Sequence, residues 1–348
     1  MILSCAIDSN RVAGAYETAM QRNTAVQPEP VMVEYEGQLL NIFFHVLVAR
    51  PGVAFTSRSR NHYLEWFVTA GEYKKILYEL YKKDYVLIDI KELYEVTFVD
   101  GRKRVTAKKP LVPEGKKPIV LSIDDLNYYK NDKELASVHK LVFDAKGNIA
   151  AWTDTANGGV LSYDDDVVTA LEEFIKLYPD FSIRGARGII ALTGFEGVFG
   201  YPTHELNSAN YQEEKNKAIA IANKLKEMGW HFASHSYRHP SLPQISMTAF
   251  MNDANRWDAE VRPIIGDTDL FIYPFGDGVE HIEEKHRVLR DRDFNLFFGV
   301  GHGFGYTQRQ NYIYMPRRNI DGFYFRTFRN RADRLFDIED VIDAEARR

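Results

Sequence analysis

Two places in this sequence put metal-ligating side chains where a strand should end. At Leu121-Ser122-Ile123-Asp124-Asp125 an apolar run stops on two adjacent carboxylates. At Ala233-Ser234-His235-Ser236-Tyr237-Arg238-His239-Pro240 two histidines stand four apart just after another such run. On a helical turn residues i and i+4 share a face, so both imidazoles can reach one ion. Two histidines and one carboxylate suit a divalent ion such as zinc and leave a position for water. The ion lowers the pKa of that water toward neutrality, which makes a nucleophile without serine or cysteine. The second carboxylate can then act as general base. Neighbouring side chains on a regular strand point to opposite faces, so Asp124 and Asp125 share a site only if the strand ends there and the backbone turns. A third strand end, Phe271-Ile272-Tyr273-Pro274-Phe275-Gly276-Asp277, sets Pro before Gly. The tight turn this forces exposes backbone N–H groups, suitable donors to the oxyanion of a tetrahedral intermediate.

The elements that must position these groups follow from periodicity. The continuous apolar run 42–48 predicts a strand buried on both faces, and 72–83 predicts an amphipathic helix with Tyr73, Ile76, Leu77, Leu80 and Tyr81 on one side. Strands are expected at 85–90 and 118–123. The segment 128–159, rich in Asp, Asn, Lys and Gly, reads as a loop or small hairpin inserted over one end of the fold. Helices at 164–178, 212–228, 248–261 and 282–290 then alternate with strands at 186–192, 230–234, 270–273 and 294–300. A last strand, 312–315, precedes a charged C-terminal region. Such alternation implies a parallel sheet, open or closed into a barrel, with catalytic groups at the C-terminal strand ends. The chain divides into an N-terminal extension (1–40, with a helix-like stretch at 13–21 and a Pro-punctuated linker), a catalytic domain (41–325, with the insertion) and a charged C-terminal segment (326–348).

Composition narrows the partners. Of 348 residues 45% are hydrophobic and 27% charged, as in a globular chain. The 20 Tyr and 22 Phe suit a sugar-lined cleft as well as a core. A net charge of −5 gives no basic footprint for nucleic acid, and the basic runs 102–109 and 326–334 read as solvated loops or faces. No apolar run approaches the roughly 18 residues of a membrane span. Cys5 is the single cysteine, so no intrachain disulfide forms. Ile2-Leu3-Ser4-Cys5 is loosely similar to the end of a bacterial lipoprotein cleavage site, although no signal-peptide pattern precedes it.

Taken in order, the three motifs resemble those of the polysaccharide deacetylases of carbohydrate esterase family 4, the NodB-homology enzymes. The family's T-F-D-D is matched by Ser122-Ile123-Asp124-Asp125, its H-[ST]-x-x-H by His235 to His239, and its R-x-P-Y-G in part by Pro274-Phe275-Gly276. Phe43-Phe44-His45 is similar to the Y-H-x that opens many members, and the likeness covers roughly residues 41–320. The resemblance implies an α/β fold, a distorted (β/α)7 barrel binding Zn²⁺ (or Co²⁺ or Ni²⁺) through Asp125, His235 and His239. It makes Asp124 the general base and turns the Phe275 N–H toward the oxyanion. The implied reaction removes acetyl from N-acetylglucosamine units of a peptidoglycan or exopolysaccharide, outside the cell or at its surface.

Two departures stand against the family pattern. Its third-motif Arg falls on Ile272, so Arg317 or Arg318 is expected to supply the guanidinium from elsewhere. Its terminal L-x-H, source of the general acid, has no match; His302 is the best substitute and His204 a weaker one. Both departures also motivate an alternative, a carbohydrate-binding pseudoenzyme on the same fold. A third reading is a metal amidohydrolase acting on a small amide.

Overall fold

The structure, a computed structural model, describes residues 30–348. The helix-like stretch at 13–21, the Pro-rich linker before residue 30 and Cys5 lie outside the described residues.

Seven parallel strands close into a barrel in chain order: β1 (Leu40–Phe44), β2 (Lys117–Asp124), β3 (Ile189–Leu192), β4 (His231–Ser234), β5 (Leu270–Ile272), β6 (Leu296–Val300) and β7 (Ile313–Asn319). Closure comes where β7 pairs with β1 (Asn319 opposite Phe43) and β1 with β2 (Phe44 opposite Ile123). The barrel is distorted at β2, whose outer edge is shared. Tyr85–Leu87 takes it at Lys117 to Ile119, and β3 takes it from Ser122 to Asp124. This is the distorted (β/α)7 barrel that the motifs imply.

Alternation along each strand sorts the side chains into two cores. Val120, Ile189, Ala191, Ala233, Leu270, Ile272, Leu296, Phe298, Ile313 and Met315 point inward and form one buried cluster. Its floor is sealed by Leu39, Leu93, Tyr94, Val105 and Val112. These come from segments that lie across the barrel's lower end, including the pair Met32–Glu34 with Leu111–Pro113. The alternate residues, such as Leu121, Ile123, Ile190 and Phe271, face the surrounding helices in the larger cluster. Higher in the barrel the inward rows turn polar, and there the site lies.

Several elements differ from their sequence expectations. The basic run 102–109 is no solvated loop: Arg102–Ala107 pairs with Tyr94–Val99 in a hairpin. It turns at Asp100 and Gly101, both with positive φ, as a two-residue hairpin loop requires. The insertion 128–159 carries a helix, Lys130–Leu135, and a three-stranded antiparallel sheet (Lys140–Phe143, Ile149–Thr155, Gly158–Ser162). The charged terminus is also organised. Helix α1 (Arg60–Trp66) and helix α2 (Ala70–Lys82) are met by Arg347, whose guanidinium donates to both carboxylate oxygens of buried Glu72 and to the carbonyls of Leu64 and Phe67. Glu72 also closes a capping box with Thr69 at the start of α2.

One buried histidine should make the barrel acid-sensitive. His286 packs between Phe297 (4.8 Å) and Tyr312 (4.5 Å), and neither ring nitrogen has a hydrogen-bond partner. Burial, with Arg290 adding to it and Glu283 opposing, pushes its pKa from 6.5 down to about 4. An unfolded histidine gains its proton near 6.5, so over that window the unfolded state binds more protons and stability falls as pH drops. The loss is at most about 3 kcal/mol at about 1.4 kcal/mol per unit. His286→Leu should therefore flatten the fall of melting temperature between pH 6.5 and 4. Parallel curves for the two proteins would place the acid lability elsewhere.

Candidate active site

The inward row of β2 runs Val120, Ser122, Asp124, and that of β7 runs Ile313, Met315, Arg317, so parity alone brings Asp124 and Arg317 into the barrel mouth. Both are buried, at 3% and 1% exposure. Nη1 of Arg317 donates to Asp124 Oδ1 (2.7 Å) and Ser122 Oγ (2.9 Å), and Nη2 donates to Asp124 Oδ2 (2.9 Å). The guanidinium reaches over the intervening β1, with Phe43 beneath it at 4.1 Å. A two-pronged contact of this kind fixes the carboxylate's plane as well as its charge. Burial pushes the Asp124 carboxyl up, but the charges of Arg317 and His235 and the Arg317 hydrogen bonds outweigh it, to about 2. Parity also decides between the two candidate arginines. Arg318 faces away from Asp124, over the rings of Phe304 (5.3 Å) and Phe328 (4.7 Å).

Asp125 joins the same site because β2 ends at Asp124 and Asp125 takes φ +58°. Its Oδ1 accepts from Tyr129 Oη at 2.6 Å, and the same hydroxyl lies 2.7 Å from Thr193 Oγ1. Asn127 ties this turn to the end of β3, donating to Thr193 O (2.8 Å) and accepting from Thr193 N.

His235 follows β4 directly, is buried, and places Nδ1 at 2.8 Å from the carbonyl of Ile272. A carbonyl only accepts, so Nδ1 carries the proton and Nε2 keeps its lone pair for a ligand. Ile272 thus serves the site through its backbone, though its side chain cannot replace an arginine. The expected helical turn between the histidines is absent. They lie on a loop in which Ser236 and His239 both have positive φ. Asp253, from helix α3 of Met247–Glu260, pins this loop by accepting from the N–H groups of Tyr237 (2.7 Å) and Arg238 (2.9 Å). The two imidazole rings nevertheless meet, 4.7 Å apart.

One donor atom each of Asp125, His235 and His239 lies within 4.8 Å of the others. Two neutral-capable imidazoles and a carboxylate, with Tyr129 and Ile272 orienting two of them, fit a small divalent cation. Among the described residues this is the one such cluster.

The turn Pro274–Gly276 stands beside it. Phe275 adopts φ +58°, and its ring, 64% exposed, lies edge-on to His239 at 4.4 Å. Gly276 must be glycine, since a Cβ there would sit 2.6 Å from Val300 N. The turn closes through Gly276 N to Tyr273 O and Asp277 N to Pro274 O, neither of which uses the Phe275 N–H.

Of the candidate acids, His302 is exposed on the loop after β6, where its Nδ1 accepts from Phe304 N (3.1 Å). His204 lies in a separate shallow bowl. Sequence pattern alone gave His45 no catalytic role. It follows β1 on the inward row Asn41, Phe43, His45, packs on Phe43 and Phe67, and holds an enclosed Nδ1 with no partner. Burial lowers its pKa, while Asp124 and Asp125 pull the other way. The period of two is the available signal, obscured when the strand is expected to run on to residue 48.

Asp124, Asp125, both ligand histidines, Phe275, His45 and His302 open on one cavity of about 810 Å³. Residues 206–291 match the polysaccharide deacetylase family. The match spans both histidines and the Phe275 turn and is in keeping with the resemblance carried by the motifs. Among curated proteins nothing matches the chain. Among solved structures it is similar to the deacetylase PplD of Streptococcus pyogenes (12% identity, 84% of this chain and 94% of that one, TM-score 0.47). It is also similar to BC0361, a polysaccharide deacetylase from Bacillus cereus (12%, 91% and 71%, TM-score 0.48). A de-N-acetylase from Aggregatibacter actinomycetemcomitans is a third (12%, 82% and 96%, TM-score 0.46). At such identities the likeness carries no substrate or residue role with it.

Proposed function

We propose that this protein removes acetyl groups from N-acetylglucosamine units of a cell-wall or extracellular polysaccharide, with a divalent ion, Zn²⁺ first among them, held by Asp125, His235 and His239. The observation that carries the reading is the buried Asp124–Arg317 pair beside that cluster. The ion would supply Lewis acidity at the acetyl carbonyl and toward water. The protein's own groups do the rest. The Asp124 carboxylate, locked by Arg317, takes a proton from the attacking water, whose oxygen bonds to the acetyl carbon. The Phe275 N–H donates to the carbonyl oxygen as it gains charge. His45 takes up the proton that Asp124 removed and gives it to the nitrogen as the C–N bond breaks, leaving acetate and a free amine.

We place the acid at His45 because its ring belongs to the inward row beside Asp124, whereas His302 is exposed and hydrogen-bonded to its own loop. The missing arginine and missing acid that favoured an inactive sugar-binding protein then have Arg317 and His45 in their stead. A substrate of this kind lies at the cell surface, where we place the protein.

The test is acetate release by the zinc- or cobalt-loaded protein from chito-oligosaccharides, peptidoglycan fragments and acetylated xylan. Release that stops with chelator is expected, and none from any substrate with metal bound would overturn the reading. His45→Gln should lower turnover by about a hundredfold, the lower end for a general acid, with metal retained. His302→Ala should change it little; the reverse result would return the acid to His302.

A further inference from the structure

The cavity extends beyond the reacting groups to a wall built by α1 and by helix α4 (Gly322–Phe328). There Trp66 and Phe323 stand 41% and 44% exposed, their rings 5.9 Å apart and only 17° from parallel. The pair is held rather than draped. Gly322 lets α4 approach so closely that a Cβ would lie 1.7 Å from Leu64 O. Arg347 grips the carbonyls of Leu64 and Phe67 on either side of Trp66. At the rim, Arg326 lies over the Phe323 ring (5.3 Å) and donates to Glu65 (2.9 Å).

Large apolar rings kept open in the wall of a cavity that ends in charged groups lose the benefit of burial unless a ligand covers them. A pyranose ring has the matching chemistry: an apolar C–H face for near-parallel aromatic rings, and hydroxyls at its edge for an Arg–Glu rim. At about 810 Å³ the cavity is at the large end for a binding pocket, more than one sugar ring needs.

We propose that Trp66 and Phe323 form a second sugar subsite, binding the C–H face of a pyranose linked to the unit being deacetylated, so that the enzyme selects oligomers over the monosaccharide. The proposal rests on the deacetylase reading for the position of the reacting unit.

The test uses full-length Asp124→Asn protein and chito-oligosaccharides of one, two and four units, with affinities from calorimetry. Trp66→Ala or Phe323→Ala, added to that background, should weaken the tetramer about ten times more than the monosaccharide, the scale of one aromatic stacking contact. Trp66→Phe should recover most of the loss, which a misfolded variant would not. In otherwise wild-type protein, Trp66→Ala should raise KM for the tetramer more than it lowers kcat. Equal weakening of monomer and tetramer, or none, overturns the subsite. Acetate released from the tetramer with KM unchanged in Trp66→Ala overturns it too, while leaving the deacetylase reading intact. Trp66-dependent tetramer binding, with no acetate released by the metal-loaded wild type, supports the subsite and overturns the deacetylase.

Discussion

Arg317→Leu is expected to abolish most turnover and to destabilise the fold together. Asp124 and Arg317 are both buried and exchange two charge-assisted hydrogen bonds, so removing one partner strands a carboxylate in the barrel. Breaking a buried pair from one side costs about 3–5 kcal/mol. Without the guanidinium, burial would raise the Asp124 pKa from about 2, and a carboxyl loosened in position is a poorer base. Turnover should drop about a hundredfold or more. Arg317→Lys keeps the charge but cannot span both oxygens, so it should recover part of the stability and little of the activity. Adding Asp124→Asn to Arg317→Leu should restore stability without activity, since no buried charge is left unpaired. Denaturant midpoints and acetate release on the wild type, Arg317→Leu, Arg317→Lys, Asp124→Asn and the double variant check this. Purely additive stability losses would show that the two side chains do not act as a pair.

Asp125→Ala, His235→Ala and His239→Ala should each lose metal and activity in parallel. Three donors leave no spare ligand, and a bound ion stabilises the fold only through the sites it occupies. The His235 variant should also be the least stable of the three, because His235 is buried while Asp125 and His239 are part-exposed. Tyr129→Phe removes only the hydroxyl that orients Asp125 and should weaken metal binding about 10–100-fold, the usual scale for such supporting groups. Metal content after dialysis and calorimetric titration read both effects. Stoichiometric metal in all three alanine variants would remove the ligand assignment.

Much of the site is legible in the amino-acid sequence. The strand ends at Asp124, Ser234 and Ile272, and the Pro-Gly turn after the last, follow from local hydrophobic pattern and turn chemistry. Those depend on residues a few positions apart. Where sequence expectation and structure part, the cause is again local. Ending the last strand at residue 315 hides the continuation of its inward row to Arg317, and running the first strand to 48 hides the position of His45. The Asp100-Gly101 hairpin carries its turn signal, but the dense charge of 102–109 masks the strand beside it. The insertion 128–159 gives weak periodicity because its strands are short and largely open to solvent on one side.

What the sequence by itself determined was which residue types stand at strand ends and which face of each strand they take, since alternation is a property of one strand. It could not determine which strands become neighbours. Arg317 and Asp124 are 193 residues apart, and they meet because barrel closure sets β7 against β1 and β1 against β2. Likewise the left-handed turns at Asp125, Ser236 and His239 are conformations that non-glycine residues adopt only when surrounding packing holds them. Pairing across the closed sheet and backbone strain held by tertiary contacts are collective properties, so only the tertiary structure decided that the base and the three ligands share one cavity, with the arginine paired to the base behind them.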